Sequence, residues 1–362
     1  MDAGPFEDLE DLLISVTAPS EGVADEARHR WDAVAKPLGS LGVLEDDIVR
    51  IAAAHGTPVI DISRRALAVF AADNGVVAEG VTQCGQEVTA LGVSNLCRGV
   101  ASASRMAEVA RCAVSVMDVG VARSLTRREA PGLIRKKVRR GTGDIATGPA
   151  CTRADAEAAV LAGADLAREL AWQEGYGLLA AGEMGIGNTT TAAAVACALT
   201  GMSPDEAVGR GSGLTDEGLE RKRAAVARAL EVNRPDAGDP VGVLARVGGL
   251  DIAAMCGFYL GAAATCIPSV LDGAISVVAA LAACRLAPAC REYLLASHAS
   301  AEPVAAPILR ELGLSPAIDA GLRLGEGTGA LALMPLLDMA AAVYSGAATF
   351  TDTGMDAYEH LG

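Results

Sequence analysis

The chain is predicted to fold as an α/β protein, a parallel sheet with helices on both faces. Short continuous apolar runs alternate with longer alanine-rich stretches of helical spacing, as βαβ units require. The apolar runs also end in polar residues: Ala66 to Ala72 in Asp73-Asn74-Gly75, Ala113 to Met117 in Asp118, Gly177 to Ala181 in Gly182-Glu183, and Tyr293 to Ala296 in Ser297-His298. Ligands of open parallel sheets bind outside the carboxyl ends of the strands, so these residues should converge on one rim. At 362 residues the chain exceeds a typical single core, which points to one large α/β domain with an accessory piece, or to two domains.

Up to about Ala54 the pattern is helical, with Leu9, Leu12, Leu13 and Val16 at helical spacing and a loop at K-P-L-G-S-L-G, Lys36 to Gly42. Lys and Arg number 30 against 45 Asp and Glu, a formal charge of −15 that repels a phosphate backbone, so nucleic acid is not an expected partner. The basic run Arg135 to Arg140 reads as a solvated loop. The nine cysteines contain no C-x-x-C pair and no companion histidine spacing, so neither a disulfide framework nor a metal site is expected. The acidic start M-D-A-G-P-F-E-D-L-E is unlike a signal peptide, and a reducing cytoplasm is the expected location. Ile252 to Leu271 is uncharged over a bilayer-spanning length of about 20 residues. Its Ala, Gly, Cys and Thr content, Pro268 and the Asp272 that follows favour a buried helix and no membrane contact.

Three glycine clusters carry candidate chemistry. In A-G-E-M-G-I-G-N-T-T-T-A-A-A, Ala181 to Ala194, a strand passes through a glycine loop into a helix. Such a loop offers backbone N–H groups and a helix N-terminus to an anion, although a glycine turn needed only for close packing reads the same way. It is neither a Walker A loop nor G-x-G-x-x-G. G-R-G-S-G-L-T-D-E, Gly209 to Glu217, precedes a helix that Thr215 should cap. On that helix Lys222 shares the apolar face with Leu219 and Val226, and either snorkels along the surface or reaches an anion inside a cleft. In L-R-L-G-E-G-T-G-A-L-A-L, Leu322 to Leu333, Glu326 stands between two glycines before an apolar helix, either as a dipole-complementing acid or as a reactive carboxylate. Glu183 is framed similarly by Gly182 and Gly185. Two glycine-framed carboxylates and an inward lysine suggest chemistry on a phosphorylated, sugar-containing ligand.

K-P-L-G-S-L-G-V-L-E, A-A-D-N-G-V-V-A-E-G-V-T, G-E-M-G-I-G-N-T-T, G-R-G-S-G-L, V-G-G-L-D-I-A-A-M-C-G, P-S-V-L-D-G, S-H-A-S-A-E-P and L-G-E-G-T-G-A, in that order, resemble the nicotinate-nucleotide:5,6-dimethylbenzimidazole phosphoribosyltransferase family of cobalamin lower-ligand activation. The resemblance covers about Trp31 to Asp338. It departs from the family at Asn74, where a histidine is usual, and at Cys84-Gly85-Gln86, where a proline precedes E-V-T.

The resemblance implies a Rossmann-like large domain over 55–335, a small helical domain built from 1–54 and 336–362, and a homodimer. It implies transfer of phosphoribose from nicotinate mononucleotide to a benzimidazole, with no cofactor, and Glu326 as the general base. Gly185, Gly187, Asn188 and Lys222 would hold the phosphate with Ser297 or Ser300. Glu183, Asp272, Gly325 and Gly327 would position the nucleotide. Asp73, Asn74, Thr82, Gln86 and Leu324 would hold the base. The rival readings are a nucleotide N-glycosidase using Glu183 and Glu326 as paired carboxylates, an NAD-dependent dehydrogenase, which lacks its glycine fingerprint after the first strand, and a non-catalytic nucleotide-binding subunit.

Overall fold

The computed structural model describes residues 4–360. Among them β1 (Arg65–Ala72), β2 (Ala113–Gly120), β3 (Ile134–Arg135), β4 (Leu178–Met184), β5 (Ser269–Leu271) and β6 (Leu294–Ala296) form one six-stranded sheet. The order is β3-β2-β1-β4-β5-β6 and every neighbouring pair is parallel. The chain therefore winds outward in opposite directions from β1 and β4, and the crevice above that reversal is where an open α/β sheet binds its ligand.

All eight residues of β1 are buried, so its apolar run is continuous rather than alternating. Ala66, Ala68, Phe70 and Ala72 face one helical layer, which includes α6 (Arg153–Arg168), α11 (Leu250–Ala264) and α12 (Ala274–Leu286). Leu67, Val69 and Ala71 face the other, where α3 (Val43–His55), α4 (Glu87–Cys97), α5 (Ser102–Ala110) and α14 (Thr328–Gly346) pack. The strand begins with Arg65, whose guanidinium is 2% exposed and pairs with Asp338 of α14 at 2.7 Å.

The uncharged stretch from Ile252 divides instead of forming one helix. α11 ends at Ala264, Cys266 takes a left-handed φ of 60°, and Pro268 leads the chain into β5. α11 is apolar all round because it is enclosed all round. It approaches α6 so closely that a Cβ on Gly163 would collide with the Ala254 carbonyl, and one on Gly257 with that of Val160. The basic run is likewise not all loop, since Ile134 and Arg135 pair with Met117 and Asp118 as an edge strand. β2 and β4 each extend past their expected ends, so Asp118 and Glu183 lie within paired strand.

The two ends of the chain meet. Trp31 of α2 (Glu21–Ala33) packs on Tyr344 of α14 with ring centroids 5.1 Å apart, and the Ala35 N–H donates to the Ala348 carbonyl at 2.9 Å. α14 has the length and composition of a membrane span, 19 residues with a mean hydropathy of 1.3. Its buried side, including Leu331, Leu333, Met334 and Leu337, belongs to the core against α3, α5 and the sheet.

Candidate active site

A cleft of about 280 Å3 opens above the β1–β4 reversal. Its lining brings together all three glycine clusters: Glu183 to Thr189 after β4, Arg210 to Ser212 with Leu214, and Arg323 to Glu326. A larger hollow of about 470 Å3 lies between α2, α3 and the Gly313 to Ser315 turn. It contains none of those clusters, and the smaller cleft is therefore the candidate site.

Two helix N-termini meet at this cleft and are finished differently. α7 (Asn188–Thr200) starts from Gly187 at φ 97° with no side-chain cap. Its Asn188 and Thr190 N–H groups turn back to the Gly185 and Gly187 carbonyls at 3.1 and 3.0 Å, and the helix dipole favours an anion at this end. The N-terminus of α14 is occupied: Asp272, just after β5, accepts the Gly327 N–H at 3.0 Å and the Gly329 N–H at 2.7 Å. The α7 end of the cleft is thus free of any side-chain carboxylate cap, whereas the α14 end carries one. Arg210, which also pairs with Asp216 at 2.5 Å, stands on the α7 side.

Glu326 has φ 59°, between Gly325 at 86° and Gly327 at 87°. A left-handed residue with a side chain costs about 1 to 2 kcal/mol. Two hydrogen bonds to a charged acceptor contribute roughly 1.5 to 3 kcal/mol each, so the Asp272 clamp outweighs the strain. The Glu326 carboxylate accepts a hydrogen bond from the Ala103 N–H in the first turn of α5, and its Oε2 is buried with no partner. Burial pushes its pKa above the usual carboxylate range, the Ala103 N–H opposes this and the Asp272 charge adds to it. A raised carboxylate pKa makes a stronger base near neutrality.

Glu183 is more enclosed. Burial first, then the charges of Asp251 and Asp272, push its pKa up to about 8, and a hydrogen bond from the Asn188 amide opposes them. Burial likewise lifts Asp251 to about 6. Its surroundings thus favour the uncharged form of Glu183, which is hydrogen-bonded to the residue that begins α7.

Lys222 is fully buried on α9 (Asp216–Asn233), a helix that Thr215 does cap. Its ammonium donates to Thr189 Oγ1 at 2.8 Å and to the Gly209 carbonyl at 3.0 Å. Burial pulls its pKa down to about 8, against the nearby charge of Glu302. Lys222 therefore does not snorkel along the surface; it is buried behind Thr189 and does not itself line the cleft.

Gly185, Gly187, Asn188, Glu183, Asp272, Ser300, Thr82, Leu324, Gly325 and Glu326 line the cleft, whereas Ser297, Gly327, Asp73, Asn74 and Gln86 lie behind its wall. Ser297 is 1% exposed and turns its hydroxyl to the Asp272 carbonyl at 3.3 Å and to His298 Nδ1 at 3.0 Å. Asn74 is fully buried, donating to Asp251 Oδ2 at 3.4 Å, and Gln86 donates to the Asn74 carbonyl at 3.0 Å. His298 lines the cleft as its place at a strand end predicts, and Thr189, Arg210, Glu302 and Arg323 line it without having been singled out from the sequence. All of them fall inside quoted motifs, and their polar side chains between small residues were the available signal. Among the described residues no three His, Cys, Asp or Glu side chains are grouped to hold a metal ion.

This fold and cleft define a phosphoribosyltransferase, and a family model described as Phosphoribosyltransferase matches residues 16–355. A Thermus thermophilus protein named nicotinate-nucleotide–dimethylbenzimidazole phosphoribosyltransferase is 49% identical over 330 residues, 91% of this chain and 97% of that protein. One of the same name from Acetivibrio thermocellus is 42% identical over 335 residues, 92% and 94% of the two chains. The crystal structure of CobT from Thermus thermophilus superposes with a TM-score of 0.87 at 48% identity, covering 92% of this chain and 99% of that one. The chain belongs to the nicotinate-nucleotide–dimethylbenzimidazole phosphoribosyltransferase family.

Proposed function

We propose that the chain transfers phosphoribose from nicotinate mononucleotide to 5,6-dimethylbenzimidazole or a related base, giving α-ribazole 5′-phosphate and nicotinate in cobalamin biosynthesis. The observation that carries the reading is the pairing of the glycine-started N-terminus of α7, free of a side-chain cap, with the partnerless Glu326 Oε2 at one cleft. The phosphate sits at Gly185, Gly187 and Asn188, with Lys222 acting through Thr189. Nicotinate leaves C1′ through its own ring nitrogen, which carries a formal positive charge and so takes the C1′–N electron pair without needing a proton. The benzimidazole nitrogen attacks C1′ from the opposite face, inverting it, and Glu326 takes the N–H proton. Glu183 and Asp272 keep the ribose and the Glu326 turn in place. Thr82, Leu324 and the wall backed by Asp73, Asn74 and Gln86 receive the base.

The enzyme acts as a cytoplasmic homodimer without metal or cofactor, and its acidic surface keeps it from nucleic acid and from anionic membranes. Its small helical domain is drawn from 1–54 and 336–362 and its large domain from 55–335, with α14 shared between them. The Trp31–Tyr344 contact supports that division. The test is incubation with nicotinate mononucleotide and a panel of benzimidazoles, purines and phenols, with products identified by mass. An α-ribazole phosphate is expected. Hydrolysis of the nucleotide without any base would replace this reading with an N-glycosidase, and binding without turnover would replace it with a nucleotide-binding subunit.

A further inference from the structure

The Glu326 turn is held by its two limbs. On the C-terminal limb Asp272 takes the Gly327 and Gly329 N–H groups. The N-terminal limb, Leu322 to Gly325, has no sheet partner and carries Leu324 with 57% of its surface exposed. The buried ring of His298 stands beside it, near enough for the Leu322 backbone to hold the imidazole's pKa up against burial. The same ring lies against the C-terminal limb, where a Cβ added to Gly329 would run into Nδ1. Ser297 Oγ orients it through Nδ1 at 3.0 Å, and reaches the Asp272 carbonyl at 3.3 Å. His298 and Ile318 also form a parallel backbone bridge, which fixes the ring's own base.

We propose that His298 is a positioning residue for the transferase reaction, clasping both limbs of the turn so that the Glu326 carboxylate stays on the acceptor's N–H. The inference rests on Glu326 being the general base. Three successive left-handed residues have no regular structure to hold them, and an unanchored turn relaxes toward negative φ at Glu326. A carboxylate displaced by about 1 Å loses on the order of a hundredfold in proton transfer while the nucleotide still binds at α7. A positioning role therefore appears in kcat and not in KM.

The experiment is steady-state kinetics of the full chain with nicotinate mononucleotide and 5,6-dimethylbenzimidazole. His298→Ala is expected to lower kcat at least tenfold with both KM values within threefold. His298→Gln, which keeps an N–H donor at the end of a side chain of similar length, is expected to return to within threefold of wild type. Unchanged kcat in His298→Ala overturns the proposal. Equal losses in the Ala and Gln variants with raised KM also overturn it, because that pattern marks a nucleotide contact or general loosening. Should His298→Ala fail to fold, His298→Asn, too short to reach Leu322, is judged by the same criteria. Glu326→Gln is measured alongside: full activity there removes the base assignment and this proposal with it. An inactive Glu326→Gln beside a fully active His298→Ala removes only the role of His298.

Discussion

The turns around Glu183 and Glu326 look alike in sequence and are built for opposite tasks. Glu183 ends a paired strand, its backbone extended opposite Phe70, its carboxyl bonded to Asn188 and crowded by Asp251 and Asp272 until it keeps its proton to about pH 8. Glu326 sits on a left-handed backbone outside any strand, steadied by one N–H and left with one bare oxygen. A glycine beside a glutamate is therefore no sign of a base. What decides is whether the surroundings hold the carboxyl as an acid or leave an oxygen open to a new proton.

The sharpest way to break that contrast is to remove the basic oxygen. Glu326→Gln should lower kcat by about 10² or more with substrate binding retained. The loss should shrink across benzimidazoles of increasing N–H acidity, which need less help from a base. Full activity with every acceptor would erase the distinction between the two turns.

Loosening the Glu326 backbone without touching its carboxyl comes next. Asp272→Asn sets an NH2 group against either the Gly327 or the Gly329 N–H, and about a tenfold fall in kcat is expected from the loss of one charge-assisted bond. A crystal structure of the variant with φ of Glu326 unchanged and kcat intact would show the clamp to be dispensable.

On the Glu183 side, Lys222→Met keeps most of the buried volume and deletes the charge behind Thr189. KM for nicotinate mononucleotide should rise about tenfold while kcat stays within about threefold, since a phosphate contact serves ground and transition states alike. An unchanged KM would detach Lys222 from the phosphate.

The smallest effect is expected at Glu183 itself. Gln resembles the protonated acid, so Glu183→Gln should keep kcat at pH 7 within about threefold. Its mark is in stability. With the folded pKa raised to about 8 from 4.5, Glu183 favours the folded state most below pH 4.5, and that contribution is lost as pH rises to about 8. Thermal unfolding of ligand-free protein between pH 5 and 9 should therefore show wild-type Tm falling relative to Glu183→Gln. Parallel curves would mean that Glu183 is ionised like any surface acid.

The layered fold was legible because its signals are local. The β1 run from Ala66 to Ala72 is one residue short of the observed strand, and Thr215 caps α9 as its hydroxyl position predicts. Arg65 was missed because a charged residue reads as the end of a strand, and its burial is made tolerable by Asp338 and the Met334 carbonyl, 273 and 269 positions away. The same holds at the site. Glycine turns disclosed the loops that line the cleft, but Ser297 facing inward, Asn74 buried against Asp251 and Asp272 clamping α14 are set by partners far along the chain. The left-handed φ of Glu326 had no signal at all, since the local pattern favours such angles at its glycine neighbours.

A Cβ on Gly182 would collide with the Gly327 nitrogen and come within 2.5 Å of the Glu326 carbonyl carbon, so the end of β4 and the Glu326 turn touch through backbone alone. Where main chain meets main chain, no side chain remains to be exchanged, and any drift in one turn is transmitted to the other. If the proposed reading holds, a lineage adapting to a different base would alter the outer wall at Thr82, Cys84 and Leu324 while inheriting the floor whole. Acceptor choice would then evolve without retuning the backbone beneath it.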